Sequence, residues 1–213
     1  MSPETTRRSF LTAVGSLAGA AAMPSAAGAQ GQSDTSADLG WFETFRGRHK
    51  QVYDYGGFDL ALSEPYPPLR FPRNYLNSIR DTLRVEFPDV NTAVGVTNTA
   101  FPLNATDAVW KKYGLGERFK IVDPMTKKPA VRNVFLEGGE FSVKALQARG
   151  TVFWQCRFAL DAVVQQLAAG TGRPVTEVRA DLLEGLNSGV RLVPSHMLAL
   201  ELAQGRGFSY VRV

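Results

Sequence analysis

Cys156 has the clearest capacity for chemistry in this chain, because it is the only cysteine among 213 residues. It follows an apolar segment, Thr151 to Gln155, that is typical of a strand, and a helical pattern begins directly after it. At such a junction the free N–H groups and dipole of the helix N-terminus favour a thiolate, which can attack sulfur, carry a persulfide or be oxidised. The alternative is a small buried hydrophobe, since free cysteine is among the most buried residue types.

Other polar residues follow the ends of predicted strands. Asn98 follows the second strand, Arg157 comes directly after Cys156, and Ser195 and His196 follow the fourth strand. Because ligands in open α/β sheets bind outside the carboxyl ends of the strands, we expect these side chains to converge at one edge. Ser195 is most simply a helix N-cap whose hydroxyl accepts from a backbone N–H. His196 would lie in the first helical turn as a neutral ring, serving as a proton donor or bonding a nearby loop.

Several classes of site are not indicated. No Gly-x-Ser-x-Gly motif surrounds a serine, and neither a Gly-x-Gly-x-x-Gly nor a phosphate-loop motif is present. The second histidine, His49, has no cluster of His, Cys or Glu around it, so we expect no metal site and no cofactor. The sequence leaves open whether the protein is an enzyme.

The charge of the chain does not point to nucleic acid. The net charge is +4, from 24 basic and 20 acidic residues. The pairs Lys111-Lys112 and Lys127-Lys128 are isolated, which is typical of a solvated surface rather than a nucleic-acid footprint. We therefore expect no nucleic-acid partner.

The first residues have the pattern of an export signal. Arg7 and Arg8 are followed by Phe10, then by an apolar stretch from Leu11 to Ala22, and then by the small residues Ala27-Gly28-Ala29. This pattern predicts a twin-arginine signal peptide over residues 1–29 and a periplasmic location. The apolar stretch falls short of the roughly 20 residues that a bilayer requires, so we expect no membrane span after cleavage. The alternative is a disordered tail with a chance arginine pair.

We divide the remaining chain into a flexible tether and one domain. Residues 30–48 form the tether, which is polar and small up to Gly40 and then contains a short amphipathic turn. Residues 49–213 are the right length for a single domain with a sizeable core.

Strands alternate with helices through this domain. The pattern predicts a mostly parallel sheet covered on both faces, in a three-layer flavodoxin-like α/β sandwich. Helical spacing is clear after Pro72, and we expect residues 63–72, with four prolines, to be an extended crossing that is neither helix nor central strand. Residues 121–139 read as a long irregular insertion of the kind that often has a function. The five expected strands lie near Val52, Val94, Val152, Leu192 and Val211.

Three segments resemble the DsrE/DsrF-like sulfur-relay family. They are Gly150 to Cys156 with the helix after it, the closing strand-helix-strand from Val190 to Val211, and Ala100 to Asn104 with the helical Asp107 to Trp110. The resemblance extends roughly from His49 to Val213. It implies a three-layer α/β fold, frequent oligomerisation, and a cysteine that in some members accepts and passes on sulfur, a role that only Cys156 can take here. The export signal and the segments at 63–72 and 121–139 depart from the cytoplasmic members.

Three functions follow as hypotheses. The first is a periplasmic sulfur-handling protein that uses Cys156, with a sulfur-containing small molecule or a periplasmic protein as partner and a homo-oligomer as its assembly. The second is a non-catalytic module that binds a small molecule or partner at the carboxyl edge. The third is an accessory subunit of an exported redox enzyme, which rests on the export route alone.

Overall fold

The structure, a computed structural model, describes residues 39–60 and 67–213. The predicted signal peptide lies outside the described residues, as does the predicted tether up to residue 38. The rest of the predicted tether is part of the domain, because a 3₁₀-helix at Gly40–Thr44 buries Trp41 and Phe42. The predicted boundary at residue 48 between tether and domain is therefore wrong. The burial of the two large aromatic side chains stabilises their packing on the domain.

Five strands form one parallel sheet in the described part of the chain. Their order is β4-β3-β2-β1-β5, and every pair of neighbours is parallel. This sheet with helices around it confirms the predicted three-layer flavodoxin-like α/β sandwich. The strands are β1 (His49–Tyr55), β2 (Val90–Val96), β3 (Val152–Cys156), β4 (Arg191–Val193) and β5 (Ser209–Arg212).

Seven α-helices accompany these strands among the described residues, with a second 3₁₀-helix at Phe101–Asn104. None of the described helices is long and apolar enough to cross a membrane. The helices are α1 (Arg70–Leu83), α2 (Asp107–Tyr113), α3 (Leu115–Arg118), α4 (Val143–Ala148), α5 (Arg157–Thr171), α6 (Val175–Glu184) and α7 (His196–Gly205).

The sheet separates two cores, because alternate residues of a strand point to opposite faces. Tyr53, Val94 and Phe153 belong to the larger core, which also contains apolar residues of α1, α2, α4, α5 and α6. Their neighbours in sequence, such as Trp154, belong to the smaller core with α7 and the first 3₁₀-helix. Helices α5 and α7 therefore cover opposite faces of the sheet.

Two predicted segments have different outcomes. The expectation that residues 63–72 contain no helix is wrong at its end, since α1 begins at Arg70 and includes Pro72. A proline is tolerated there because the N–H groups of the first helical turn have no intrahelical partner. Residues 121–139 contain no helix or strand and make one isolated bridge, between Val122 and Pro129. The side chain of Asn133 orders this loop by donating to the carbonyl of Ala105 at 2.8 Å.

Packing of α5 on the sheet predicts a specific loss of stability. Leu167 is fully buried in the larger core, so Leu167→Ala should lower the free energy of unfolding by about 2–5 kcal/mol. Leu183, on α6, is 40 % exposed and gives a matched control for which we expect less than about 1 kcal/mol. Urea denaturation followed by circular dichroism measures both, and equal losses would contradict this placement of α5.

Candidate functional site

A cleft of about 1140 Å³ opens at the carboxyl edge of the sheet. Its lining comes from the carboxyl ends of β1, β2, β3 and β5 and the residues just after them, from the N-terminal part of α5, and from α7 along its whole length. Among the residues proposed from the sequence, Asn98, Cys156, Ser195 and His196 all line the cleft. Arg157 is half-buried and is not among the described residues of the lining. The insertion at 121–139 contributes no residue to the lining that the structure describes.

Below this cleft, His196 forms a buried pair with Asp54. The Nε2 atom of His196 lies 2.7 Å from Oδ1 of Asp54, and the two residues are only 4 % and 9 % exposed. His196 is the first residue of α7, whereas Asp54 lies near the end of β1. The pair therefore connects the helix on one face directly to β1, an interior strand of the sheet.

Trp154 determines which nitrogen of His196 carries the proton. The indole N–H of Trp154 lies 3.1 Å from Nδ1 of His196, and indole can only donate. Nδ1 therefore accepts, Nε2 carries the proton that it donates to Asp54, and the imidazole is neutral. Both ring nitrogens are engaged inside the protein, so His196 has no free nitrogen for a ligand in this arrangement.

The Asp54 carboxylate accepts two further hydrogen bonds. The hydroxyl of Tyr210 donates to Oδ2 at 2.6 Å, and the backbone N–H of Gly56 donates to Oδ1 at 2.6 Å. Burial alone raises the pKa of Asp54, but the hydrogen bonds from His196, Tyr210 and Gly56 outweigh it and lower the pKa to about 2. The bond to this carboxylate, with burial, raises the pKa of the Tyr210 hydroxyl. The Asp54 carboxylate is therefore ionised in the folded protein at neutral pH.

Gly95 makes room for this arrangement. In the register of the sheet it lies between Asp54 of β1 and Trp154 of β3. A Cβ atom there would be 2.5 Å from the Trp154 ring and 2.6 Å from Cε1 of His196, both far inside van der Waals contact. The imidazole can bridge the neighbouring strands because β2 has no side chain at this position.

Cys156 lies at the last position of β3 and at the N-cap of α5. Its side chain makes no capping hydrogen bond, and the residue is 5 % exposed, with the cleft as its access to solvent. The thiol thus lies at the strand-to-helix junction expected from the sequence, recessed in the wall of the cleft.

Ser195 occupies the N-cap of α7, but the capping hydrogen bond predicted for its hydroxyl is not formed. The first turn of α7 is held instead by the side chain of His196, whose hydrogen bonds place the helix directly over the sheet. Among the described residues, no three His, Cys, Asp or Glu side chains are grouped to hold a metal ion.

Sequence reasoning missed Asp54, Gly95, Trp154 and Tyr210. Trp154 is fully buried like an ordinary core aromatic, yet its N–H also orients His196. The one available signal was Asp54 itself, a charged residue inside a strand whose neighbours are apolar. Its partner His196 is 142 residues away in sequence, and Trp154, which donates to His196, is 100 residues away, so no local pattern joins the three.

The fold and site together define a three-layer α/β protein with a buried carboxylate, imidazole and indole chain under a cleft at the carboxyl edge. No family model matches the chain, and no curated protein matches it. A similar solved structure is that of a protein of unknown function from Methanobacterium thermoautotrophicum. It is 16 % identical, with a TM-score of 0.40 over 78 % of this chain and 99 % of that chain. A likeness of that extent carries no information about function.

The hydrogen bonds of Asp54 predict a dependence of stability on pH. Its pKa is lowered from 3.8 to about 2 by folding, so the ionised carboxylate stabilises the protein fully above about pH 4. This contribution is lost as the pH falls through 2. We expect Asp54→Asn to be less stable than the wild type by about 1 kcal/mol at pH 6, with the difference shrinking toward pH 2. Urea denaturation across this range measures it, and a difference that does not change with pH would refute the assignment.

The close packing at Gly95 predicts a further loss. Gly95→Ala should lower the free energy of unfolding by about 2–4 kcal/mol, because the methyl group must displace Trp154 or His196. Gly57→Ala is the matched control, since a Cβ atom there would meet nothing within 4 Å, and we expect a change below about 1 kcal/mol. Thermal and urea unfolding compare the two variants. Similar stabilities of the two variants would show that the rings of Trp154 and His196 do not pack against β2 at Gly95.

Proposed function

We propose that the protein is an exported sulfur-handling protein of the periplasm in which Cys156 is a nucleophile or sulfur carrier. One observation carries this proposal: the only thiol of the chain lies in the wall of the carboxyl-edge cleft, at the start of a 15-residue helix. The DsrE/DsrF-like resemblance of the segment that ends at Cys156 supports it, as does the signal peptide predicted at residues 1–29.

The proposed step transfers one sulfur atom. The Cys156 thiolate attacks the sulfane sulfur of a donor such as thiosulfate, and a new S–S bond forms. The S–S bond of thiosulfate breaks, and sulfite leaves with the electron pair. The product is a persulfide on Cys156, whose terminal sulfur is an anion. The first N–H groups of α5 have no intrahelical acceptor, so they can stabilise this charge.

His196 acts in this proposal as a positioning residue. Both of its ring nitrogens are engaged, with Trp154 and Asp54, so it holds the wall of the cleft opposite α5 rather than moving a proton. Tyr210 is 42 % exposed and presents the same network to the cleft. These hydrogen bonds position the wall formed by α7 without a ligand, which lowers the cost of ordering on binding.

A non-catalytic binding module is the second candidate. The observation that favours it is the burial of Cys156, which is only 5 % exposed, in a cleft whose histidine has no free nitrogen. In that case the cleft would hold a ligand through its walls, and Cys156 would be a packing residue.

Intact-mass measurement tests the sulfur-handling proposal. After incubation with thiosulfate or polysulfide, the purified protein should gain the mass of one sulfur atom and lose it again with a thiol reductant. Cys156→Ser should gain nothing while keeping its circular dichroism spectrum. The intact mass of the exported protein also shows whether its chain begins at Gln30. No gain on the wild type from any sulfane-sulfur donor, inorganic or organic, or equal gain on Cys156→Ser, would overturn the sulfur-handling proposal and leave the binding module.

A further inference from the structure

Two large apolar side chains lie exposed at the cleft. Phe158 lies in the first turn of α5 and Met197 in the first turn of α7, and each is 71 % exposed. Both line the cleft, and they come from helices on opposite faces of the sheet. Phe158 is two positions from Cys156. These side chains therefore form the two sides of an apolar entrance to the thiol.

The apolar surface continues inward from this entrance. Ala159 and Ala162 extend it along α5, and Leu200 extends it along α7. The cleft of about 1140 Å³ is as large as the sites that hold drug-sized ligands, which are typically about 300–1,000 Å³ and mostly apolar. An inorganic sulfur anion would fill a small part of this space and would contact none of the apolar surface favourably.

The charges of the lining also disfavour an inorganic dianion. The described lining contains two carboxylates, Asp54 and Glu201, and one cation, Arg212. The hydrogen bonds on Asp54 keep it ionised by lowering its pKa to about 2. A dianion that enters the cleft is thus repelled by the net negative charge of the lining. A donor with an apolar group and at most one charge is repelled less.

We infer that the sulfur donor is a small organic persulfide, R–S–SH, whose apolar group R binds between Phe158 and Met197. This inference rests on the proposed role of Cys156 and adds the class of its substrate. The Cys156 thiolate attacks the outer sulfur of the donor, and a new S–S bond forms. The S–S bond of R–S–SH breaks, and R–S⁻ leaves with the electron pair. The outer sulfur keeps its proton, so the product is Cys156–S–SH, and neither an oxidant nor a reductant is needed.

The test compares two organic donors of similar intrinsic reactivity. Benzyl hydropersulfide has an apolar R group, and cysteine hydropersulfide has a zwitterionic one. Sulfur transfer to Cys156 is followed by rapid quench and intact mass over a range of donor concentrations. We expect the benzyl donor to react at least about tenfold faster at low concentration, since the burial of one aromatic ring accounts for such a factor. Thiosulfate should be slower than the benzyl donor.

Variants locate the effect. Phe158→Ala and Met197→Ala should each slow transfer from the benzyl donor by about fivefold at low concentration, and slow the cysteine donor by a clearly smaller factor. Met125→Ala is the matched control, because Met125 is 84 % exposed and lies in the insertion, outside the described lining. Circular dichroism checks that each variant is folded.

The outcomes separate the two proposals. Equal rates for the two organic donors, or no effect of either cleft variant, would overturn the inference while leaving sulfur handling by Cys156 intact. Modification of Cys156 by thiosulfate in preference to the benzyl donor would do the same. If no donor modifies Cys156 in the folded protein, the proposed function fails and the inference fails with it.

Discussion

The imidazole of His196 joins helix α7 to two strands of the sheet through hydrogen bonds of its own ring. It accepts a hydrogen bond from Trp154 of β3 and donates one to Asp54 of β1, while its ring lies over Gly95 of the strand between them. A buried carboxylate is costly unless its hydrogen bonds are satisfied, and Asp54 accepts three. Because each partner satisfies the next, α7 has one position on the sheet.

The shape of the cleft depends on that position. Helix α7 is one wall, and the N-terminal part of α5, which begins directly after Cys156, is the other. The two helices lie on opposite faces of the sheet, so the space between their N-termini remains open at the carboxyl edge. This geometry places the Cys156 thiol in a recess of the cleft behind an apolar entrance. The ionised carboxylate of Asp54 lies at the bottom of the same cleft.

Much of the fold could be predicted from local patterns. Runs such as Thr151 to Trp154 consist of β-branched and aromatic residues. The helices that follow such runs have clear periodicity and end at glycines such as Gly172, which has a positive φ. Errors arose where packing overrode local signals. Trp41 and Phe42 fold onto the sheet although the preceding residues are polar. The polar Asn104 is fully buried, with its side chain donating to the carbonyl of Trp154.

For the site, the sequence by itself determined that Cys156 follows a strand and precedes a helix, and that Asn98, Ser195 and His196 follow other strands. Parallel strands connected through helices place such residues at one edge, and this requires no knowledge of strand order. The tertiary structure alone decided that β1, β2 and β3 are neighbours, so that Asp54, Gly95 and Trp154 stand side by side beneath His196. Strand pairing depends on contacts between distant residues, and a one-residue change of register would turn Asp54 to the other face.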